Sequence, residues 1–204
     1  MMTKEKNYSD NELTKGKLTT VDICEIAAFA AIMAVLSQIS IPMPAGVPMT
    51  LQTLIVPLAG IVIGRKKGTL ATLLYLLMGA VGIPVFASFQ GGLGILLGMT
   101  GGFLISFPIL SYTAGLGHKL GVKVRTSSSK PALYYATVVT ALILGAVVNY
   151  AFGTVWFMII AQADLAYSLA ACVIPFIPTS IIKIAIVAIV GPELKKRLDK
   201  VLAH

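Results

Sequence analysis

Charged residues are scarce in this sequence, and their placement excludes an ordinary soluble domain. Only 12% of the 204 residues are charged and 57% are hydrophobic, whereas soluble domains average about 25% charged residues. Residues 68–117 contain no Asp, Glu, Lys or Arg, and residues 131–182 contain only Asp164. Such stretches exceed the roughly 20 apolar residues that cross a bilayer. We therefore predict an integral membrane protein.

Catalytic and metal-binding patterns are also missing. The chain has two Cys and two His, with no metal-ligand spacing among them. The Gly60–Gly64 pair is followed by Arg and Lys without the spacing or hydroxyl residue of a phosphate-binding loop. Paired intramembrane carboxylates and a Ser-His-Asp set are absent. We expect neither an enzyme nor a metal site, and Cys24 and Cys172 are predicted at opposite membrane faces.

The hydrophobic segments predict an all-α bundle of six transmembrane helices. Their approximate bounds are 22–40, 50–63, 69–83, 99–117, 132–160 and 174–191. The second segment is short for a full crossing and contains Pro57. Residues 1–18 are predicted as a polar cytoplasmic tail, and residues 19–204 as the membrane domain.

The basic residues predict the orientation of this bundle. Of the sixteen Lys and Arg, all except Lys183 lie in four polar segments, namely 1–17, 64–68, 118–130 and 193–204. The alternate connections, near 41–49, 84–98 and 161–173, contain none. Because cytoplasmic loops are enriched in Lys and Arg, both termini are predicted in the cytoplasm of a cell-membrane protein. The net charge of +8 is confined to loops and tails, so it does not indicate nucleic-acid binding.

The base-free connections predict an outward-facing pocket. The first contains three prolines in residues 41–48 and predicts extended chain. The second contains eight glycines in residues 79–102, with Leu and Ile between them. An apolar glycine-rich loop would not stay solvated, and irregular backbone at membrane depth requires support from protein or a cavity. We predict that it folds back over the bundle as a lid.

Lys183 lies alone inside an apolar stretch. An ammonium group at the bilayer centre costs at least ~2.5–3.5 kcal/mol, so such residues usually have a partner or a function. If the last helix starts near Pro175, Lys183 lies ~12 Å along it. It is predicted to bind an anion at the floor or wall of the pocket. The alternative is a structural lysine that donates to helix carbonyls.

Neutral polar residues and one acid complete the candidate site. Gln52 and Thr53 can cap a helix or bind a ligand, and Asn149 can join helices or bind a ligand. Asp164 can cap a short helix or contact the ligand. Gln90 in the glycine-rich loop can point inward or outward.

Five sequence stretches together resemble a known family. They are residues 47–54 (VPMTLQTL), 74–86 (LYLLMGAVGIPVF), 91–102 (GGLGILLGMTGG), 150–156 (YAFGTVW) and 175–183 (PFIPTSIIK). They resemble the BioY family, the biotin-specific substrate-binding (S) components of energy-coupling factor (ECF) transporters, over residues 22–192. This resemblance implies a six-helix bundle, an outward biotin pocket, and docking onto a transmembrane coupling protein driven by two ATPases.

The chain departs from the family pattern at two places. Residues 178–180 read Pro-Thr-Ser, where the family typically has Pro-Gly-Asp, and Asp164 stands where the family often has Ser.

Biotin offers a carboxylate, a ureido group and an apolar ring system, so the resemblance also implies roles for residues. Lys183 is expected to pair with one polar end, most naturally the carboxylate. The ureido group is expected to meet Asp164, Asn149, Gln52 or Thr53. Aromatic walls are expected from Tyr75, Phe86, Tyr150 and Trp156, and closure from the loop that contains Gln90, Gly91 and Gly94. Docking is expected through the small residues of the first helix, Ala27, Ala30, Ala31 and Ala34, for which packing within the bundle is the alternative.

Two other functions stay open. One is an S component for a different anionic vitamin. The other is a solitary ion-coupled carrier, although such carriers often show intramembrane carboxylates or an inverted repeat, and the sequence shows neither.

Overall fold

The computed structural model describes residues 18–44, 46–128 and 131–202. The predicted polar tail lies outside the described residues except for Leu18. The chain is mostly helical, with one small strand pair. Its elements in order are α1 (Thr20–Ser37), β1 (Ser40–Ile41), β2 (Met49–Thr50), α2 (Gln52–Val62), α3 (Arg65–Ala80), α4 (Leu93–Leu96), α5 (Gly101–Ser128), α6 (Pro131–Ala161), α7 (Leu165–Cys172) and α8 (Ile177–Leu202). Short 3-10 turns occupy Ala87–Phe89 and Ile174–Phe176.

Each predicted hydrophobic segment coincides with one of the longer helices α1, α2, α3, α5, α6 and α8. By length and composition, three described stretches are long and apolar enough to cross a membrane: Thr20–Ser37, Pro131–Ala161 and Leu165–Leu202. The last of these joins α7 and α8. The count of six spans and the cytoplasmic termini stay predictions.

Two helices extend well beyond the ends of their apolar segments. α5 continues to Ser128 and α8 to Leu202, whereas the hydrophobic pattern predicts ends at 117 and 191. The pattern marks where apolar character stops, not where helical backbone stops. Lys, Arg and Leu are good helix formers in water, so the helices continue through their charged ends.

The start of α1 is fixed by a capping box. Thr19 Oγ1 accepts a hydrogen bond from the Asp22 backbone N–H at 3.2 Å, and the Asp22 carboxylate accepts from the Thr19 N–H at 2.9 Å. Lys67 at the start of α3 pairs with Asp22 at 3.0 Å and also with Glu25. These contacts hold the ends of α1 and α3 together on the side where the basic segments lie.

α2 is the buried centre of the bundle. From Ile55 to Ile63 every residue is buried, and close approach is possible because glycines face one another. A Cβ atom on Gly68 of α3 would lie 2.7 Å from the Gly60 Cα atom of α2. Small residues allow helices to approach closely in a membrane bundle. At the other end of α2, Gln52 and Thr53 line the cavity described below.

The first base-free connection forms a small hairpin rather than simple extended chain. β1 and β2 pair antiparallel, with Ser40 opposite Thr50 and Ile41 opposite Met49. The prolines of residues 41–48 cannot donate ladder hydrogen bonds, and the pairing is limited to two residues in each strand. It places Thr50 directly before α2.

Candidate ligand-binding cavity

A cavity of about 360 Å³ lies at the end of the bundle where the connections contain no Lys or Arg. All three of these connections contribute to its lining. The first contributes Pro42, Met43, Gly46, Val47 and Pro48, the second Ala87, Ser88, Gln90, Gly94, Ile95 and Gly98, and the third Cys172. The inner walls come from α2, α5, α6 and α8. The volume falls within the range of about 300–1,000 Å³ that is typical of small-molecule sites.

Lys183 is the only charged residue among those that line the cavity. Its Nζ donates to the Thr50 carbonyl at 2.7 Å and to Thr53 Oγ1 at 2.9 Å. None of the described acidic residues forms an ion pair with it. An ammonium group has three donors, so one N–H remains. The contacts orient the amine without neutralising it, and the site can therefore accept an anion.

A polar wall extends from Thr50 away from Lys183. The Thr50 hydroxyl donates to Gln52 Oε1 at 2.9 Å, and Gln52 Nε2 donates to the Tyr75 hydroxyl at 2.5 Å. Tyr75 in turn donates to the Val85 carbonyl at 3.1 Å. Tyr75 is fully buried, and its ring packs edge-on against Phe86 with centroids 5.6 Å apart. Gln52 and Phe86 line the cavity, whereas Tyr75, predicted as a wall residue, lies behind them.

Asn149 both joins helices and lines the cavity. Its Nδ2 donates to the Phe103 carbonyl at 3.0 Å and to Ser106 Oγ at 2.7 Å, both on α5. These two acceptors fix the direction of the amide. Asn149 Oδ1 has no partner among the described residues, so it remains an acceptor for a ligand N–H. The helix-joining alternative is confirmed, and it leaves this second role open.

Tyr150 lies between the main cavity and a smaller one of about 30 Å³. Its hydroxyl forms a 2.5 Å hydrogen bond with Ser180 Oγ. Thr53, Asn149, Tyr150 and Lys183 line both spaces, whereas Ser180 lines only the smaller one. Ser180 therefore contributes to the site through Tyr150 rather than at the main cavity surface.

Three other predicted site residues do not line the cavity. Asp164 is exposed and caps α7, where its carboxylate accepts from the Tyr167 N–H at 2.7 Å; the capping alternative is confirmed. Trp156 donates from Nε1 to the Gly98 carbonyl at 2.9 Å and so holds the glycine-rich connection. Gly91 packs on the backbone, and a Cβ there would lie 2.5 Å from the Ile83 carbonyl oxygen. Gln90 and Gly94 do line the cavity.

The chain is similar to known proteins over most of its length. The model of the BioY family matches residues 7–200. The chain belongs to the BioY family. It is 38% identical over 174 residues to a probable biotin transporter BioY of Pyrococcus horikoshii, with 85% of this chain and 96% of that protein covered. It is 36% identical over 168 residues to the biotin transporter BioY of Thermotoga maritima, covering 82% and 92% of the two proteins.

A solved structure of a related protein has the same fold. The crystal structure at 2.1 Å of the S-component for biotin from an ECF-type ABC transporter superposes with a TM-score of 0.75 and 25% sequence identity. The match covers 88% of this chain and 95% of that chain. Since its BioY relatives are named as transporters, the chain is a membrane transport protein and not an enzyme.

Several aromatic residues of this BioY cavity are not among those that the sequence predicts. Phe103 and Phe107 on α5 and Phe176 before α8 all line it. Phe103 and Phe107 are four residues apart, so they lie on the same face of a helix. Their spacing indicates a shared helix face, but the sequence does not show which face of α5 is turned toward the cavity.

The four alanines predicted as a docking face lie on two sides of α1. Ala27 and Ala31 are exposed. Ala30 is 1% exposed and belongs to the core, and Ala34 packs against that core. The docking prediction is therefore corrected for Ala30, because a residue inside the bundle cannot meet another protein. Of the four, Ala27 and Ala31 are exposed and Ala34 is half-buried.

Proposed function

We propose that this chain captures biotin in the cavity around Lys183 and delivers it inward as the S component of an ATP-driven ECF-type transporter. The proposal is supported by membership of the BioY family and by relatives named as biotin transporters. It is carried by one observation. A single lysine without an acidic partner among the described residues lies in a largely apolar cavity of suitable size.

The residues around the cavity complement the functional groups of biotin. Lys183 pairs with one polar end, most naturally the carboxylate. Asn149 Oδ1 can accept a ureido N–H, and Gln52 retains one N–H and one lone pair beyond its partners in the protein. Phe86, Phe103 and Phe107 supply apolar walls for the fused rings.

The bundle is proposed to cross the membrane six times, with both termini in the cytoplasm and the cavity facing outward. The described Lys and Arg other than Lys183 lie at the start of α3, near the end of α5 and near the end of α8. The cavity lies near the opposite ends of α5 and α8. This separation of charge is the positive-inside pattern. The glycine-rich connection, which lines the cavity through Gln90 and Gly94, serves as the lid.

Energy for uptake is proposed to come from partner proteins. The related solved structure is an S-component of an ECF-type ABC transporter. We place the docking surface for the transmembrane coupling protein at Ala27 and Ala31 on α1. Two ATPase subunits would drive that coupling protein.

The test of the ligand is mass spectrometry on protein purified without added vitamin. Biotin is expected at near-stoichiometric amounts in the wild type, and at reduced amounts in Lys183→Met. The matched control is Lys195→Met, because Lys195 donates to the Val62 carbonyl, at the other end of α2, at 3.4 Å. Recovery of a different anionic vitamin would replace biotin in this proposal, and recovery of a cationic one would contradict it.

A further inference from the structure

A chain of hydrogen bonds connects the cavity to the second base-free connection. It passes from Gln52 at the cavity surface to Tyr75 on α3, and from Tyr75 to the carbonyl of Val85. Ser37 at the end of α1 also donates to this carbonyl, at 2.5 Å. Ser37, Tyr75 and Val85 are buried. Water therefore does not compete for these bonds, and each group must find its partner within the protein.

The direction of each hydrogen bond in this series follows from the group at its end, the Val85 carbonyl. A backbone carbonyl can only accept, so the Tyr75 hydroxyl hydrogen is directed to Val85. The Tyr75 oxygen is then left as an acceptor and requires a donor. Ser37 is a further side-chain partner of Tyr75, but the 2.5 Å contact with Gln52 still requires a hydrogen between the two atoms. The Nε2 end of the Gln52 amide supplies it, and Oε1 consequently faces the Thr50 hydroxyl. Amide oxygen and nitrogen are otherwise easily exchanged by a rotation of 180° about the last side-chain bond.

We propose that Tyr75 is a positioning residue that fixes the polarity of the Gln52 amide, and thereby decides which ligand group Gln52 can bind. Tyr75 does not touch the cavity and acts only through Gln52. The identity of the bound molecule as biotin rests on the function proposed above. The orientation of the amide does not depend on it.

The orientation of the Gln52 amide matters because this side chain lines the cavity and is only 5% exposed. Two of its four hydrogen-bonding positions are taken by Thr50 and Tyr75. The remaining lone pair and N–H keep a fixed arrangement, which suits a ligand edge that presents a donor beside an acceptor, as a cyclic urea does. A freely rotating amide would lose this discrimination.

The binding test uses Tyr75→Phe, which removes the hydroxyl and keeps the ring against Phe86. We expect biotin affinity, measured by calorimetry, to fall about tenfold, the loss associated with one well-placed hydrogen bond. The matched control is Thr72→Val, which removes another buried hydroxyl of α3, one that donates to the Gly68 carbonyl at 2.8 Å rather than to the Gln52–Tyr75–Val85 series. It is expected to change affinity by less than about threefold.

A double-mutant cycle separates positioning from a general structural role. In a Gln52→Leu background, Tyr75→Phe is expected to cause no further loss of affinity, because the group through which it acts is gone. Independent, additive losses would overturn the proposal. So would a Tyr75→Phe variant that binds like the wild type, or a Thr72→Val variant that loses as much.

A ligand-free measurement keeps the proposal testable if biotin is not the ligand. The chain has four glutamines, so the side-chain amide signals in ¹⁵N-correlated NMR are few, and Gln52→Leu identifies the one that belongs to Gln52. One Gln52 amide proton is expected downfield and protected from exchange in the wild type and in Thr72→Val. It is expected to lose both properties in Tyr75→Phe, and an unchanged signal would refute the proposal even if biotin binds.

Discussion

Replacing Lys183 by Met is the most direct perturbation of the site. Met has a similar length and no charge, so the variant removes the ammonium group while largely filling its space. In the wild type this group is held by the Thr50 carbonyl and Thr53 Oγ1, and by no acid among the described residues. A bound carboxylate therefore meets a charge that the protein has not already neutralised.

The magnitude can be bounded from this geometry. Two unit charges about 4 Å apart attract by about 4 kcal/mol at an effective dielectric constant of about 20. Desolvation of both groups offsets part of this attraction, and hydrogen bonds to charged groups contribute a net of about 1.5–3 kcal/mol. Biotin affinity of Lys183→Met is therefore expected to fall roughly 10- to 150-fold.

The assay compares biotin with its uncharged carboxamide by calorimetry on purified protein. The wild type should prefer biotin, whereas Lys183→Met should bind the two with nearly equal affinity. Thermal unfolding without ligand gives the control for folding. Its midpoint should not fall, since an uncompensated charge in an apolar bundle is itself costly. The stabilisation by added biotin should shrink in proportion to the lost affinity.

Two results would refute this reasoning. In the first, Lys183→Met binds biotin as tightly as the wild type. In the second, the variant loses affinity for biotin and for the carboxamide equally, which would assign Lys183 to the ureido end of the ligand.

Three further predictions concern other parts of the molecule. Gly91→Ala should lower both thermal stability and biotin affinity, because its Cβ would lie 2.5 Å from the Ile83 carbonyl oxygen. Gly94→Ala has open space around its Cβ and should change stability little. Equal effects of the two variants in thermal unfolding and biotin titration would contradict the close packing of the glycine-rich connection at Gly91. Asp164→Ala should lower the free energy of unfolding by about 1 kcal/mol through loss of the α7 cap and leave biotin affinity unchanged. Asp164→Asn should restore the stability, because Asn also caps helices well. A loss of biotin affinity without a loss of stability would instead indicate ligand contact. Ala31→Leu should reduce co-purification with the proposed coupling protein without affecting biotin binding. Val155→Leu, at an exposed position on α6, should leave co-purification unchanged. Retention of the partner by Ala31→Leu would remove the α1 surface from the proposal.

The positions that could be predicted from sequence were those set by local chemistry. Lys183 lies at the cavity, and it was recognisable as a candidate because hydrocarbon penalises any charge, whatever the fold around it; its binding of an anion stays a prediction. Asp164 precedes a helical segment, so its capping role was recognisable. Gln90 and Gly94 of the glycine-rich connection line the cavity, whereas the role of this connection as a lid stays a prediction.

The predictions that failed depended on helix rotation and on partners distant in sequence. Tyr75 was expected to form a wall, but the orientation of α3 places it behind Phe86. Ala30 and Ala31 are adjacent in sequence, yet only Ala31 is accessible, because neighbouring residues on a helix point about 100° apart. Neither rotation can be read from the sequence, because both helices carry apolar residues on nearly every side.

Trp156 is the only tryptophan of the chain, and its indole N–H is bonded to the Gly98 carbonyl of the glycine-rich connection. Indole emission responds to the polarity and hydrogen bonding of its surroundings. The molecule thus carries a native optical probe bonded to a cavity-lining connection, and any rearrangement of that connection can be followed in real time without attaching a dye.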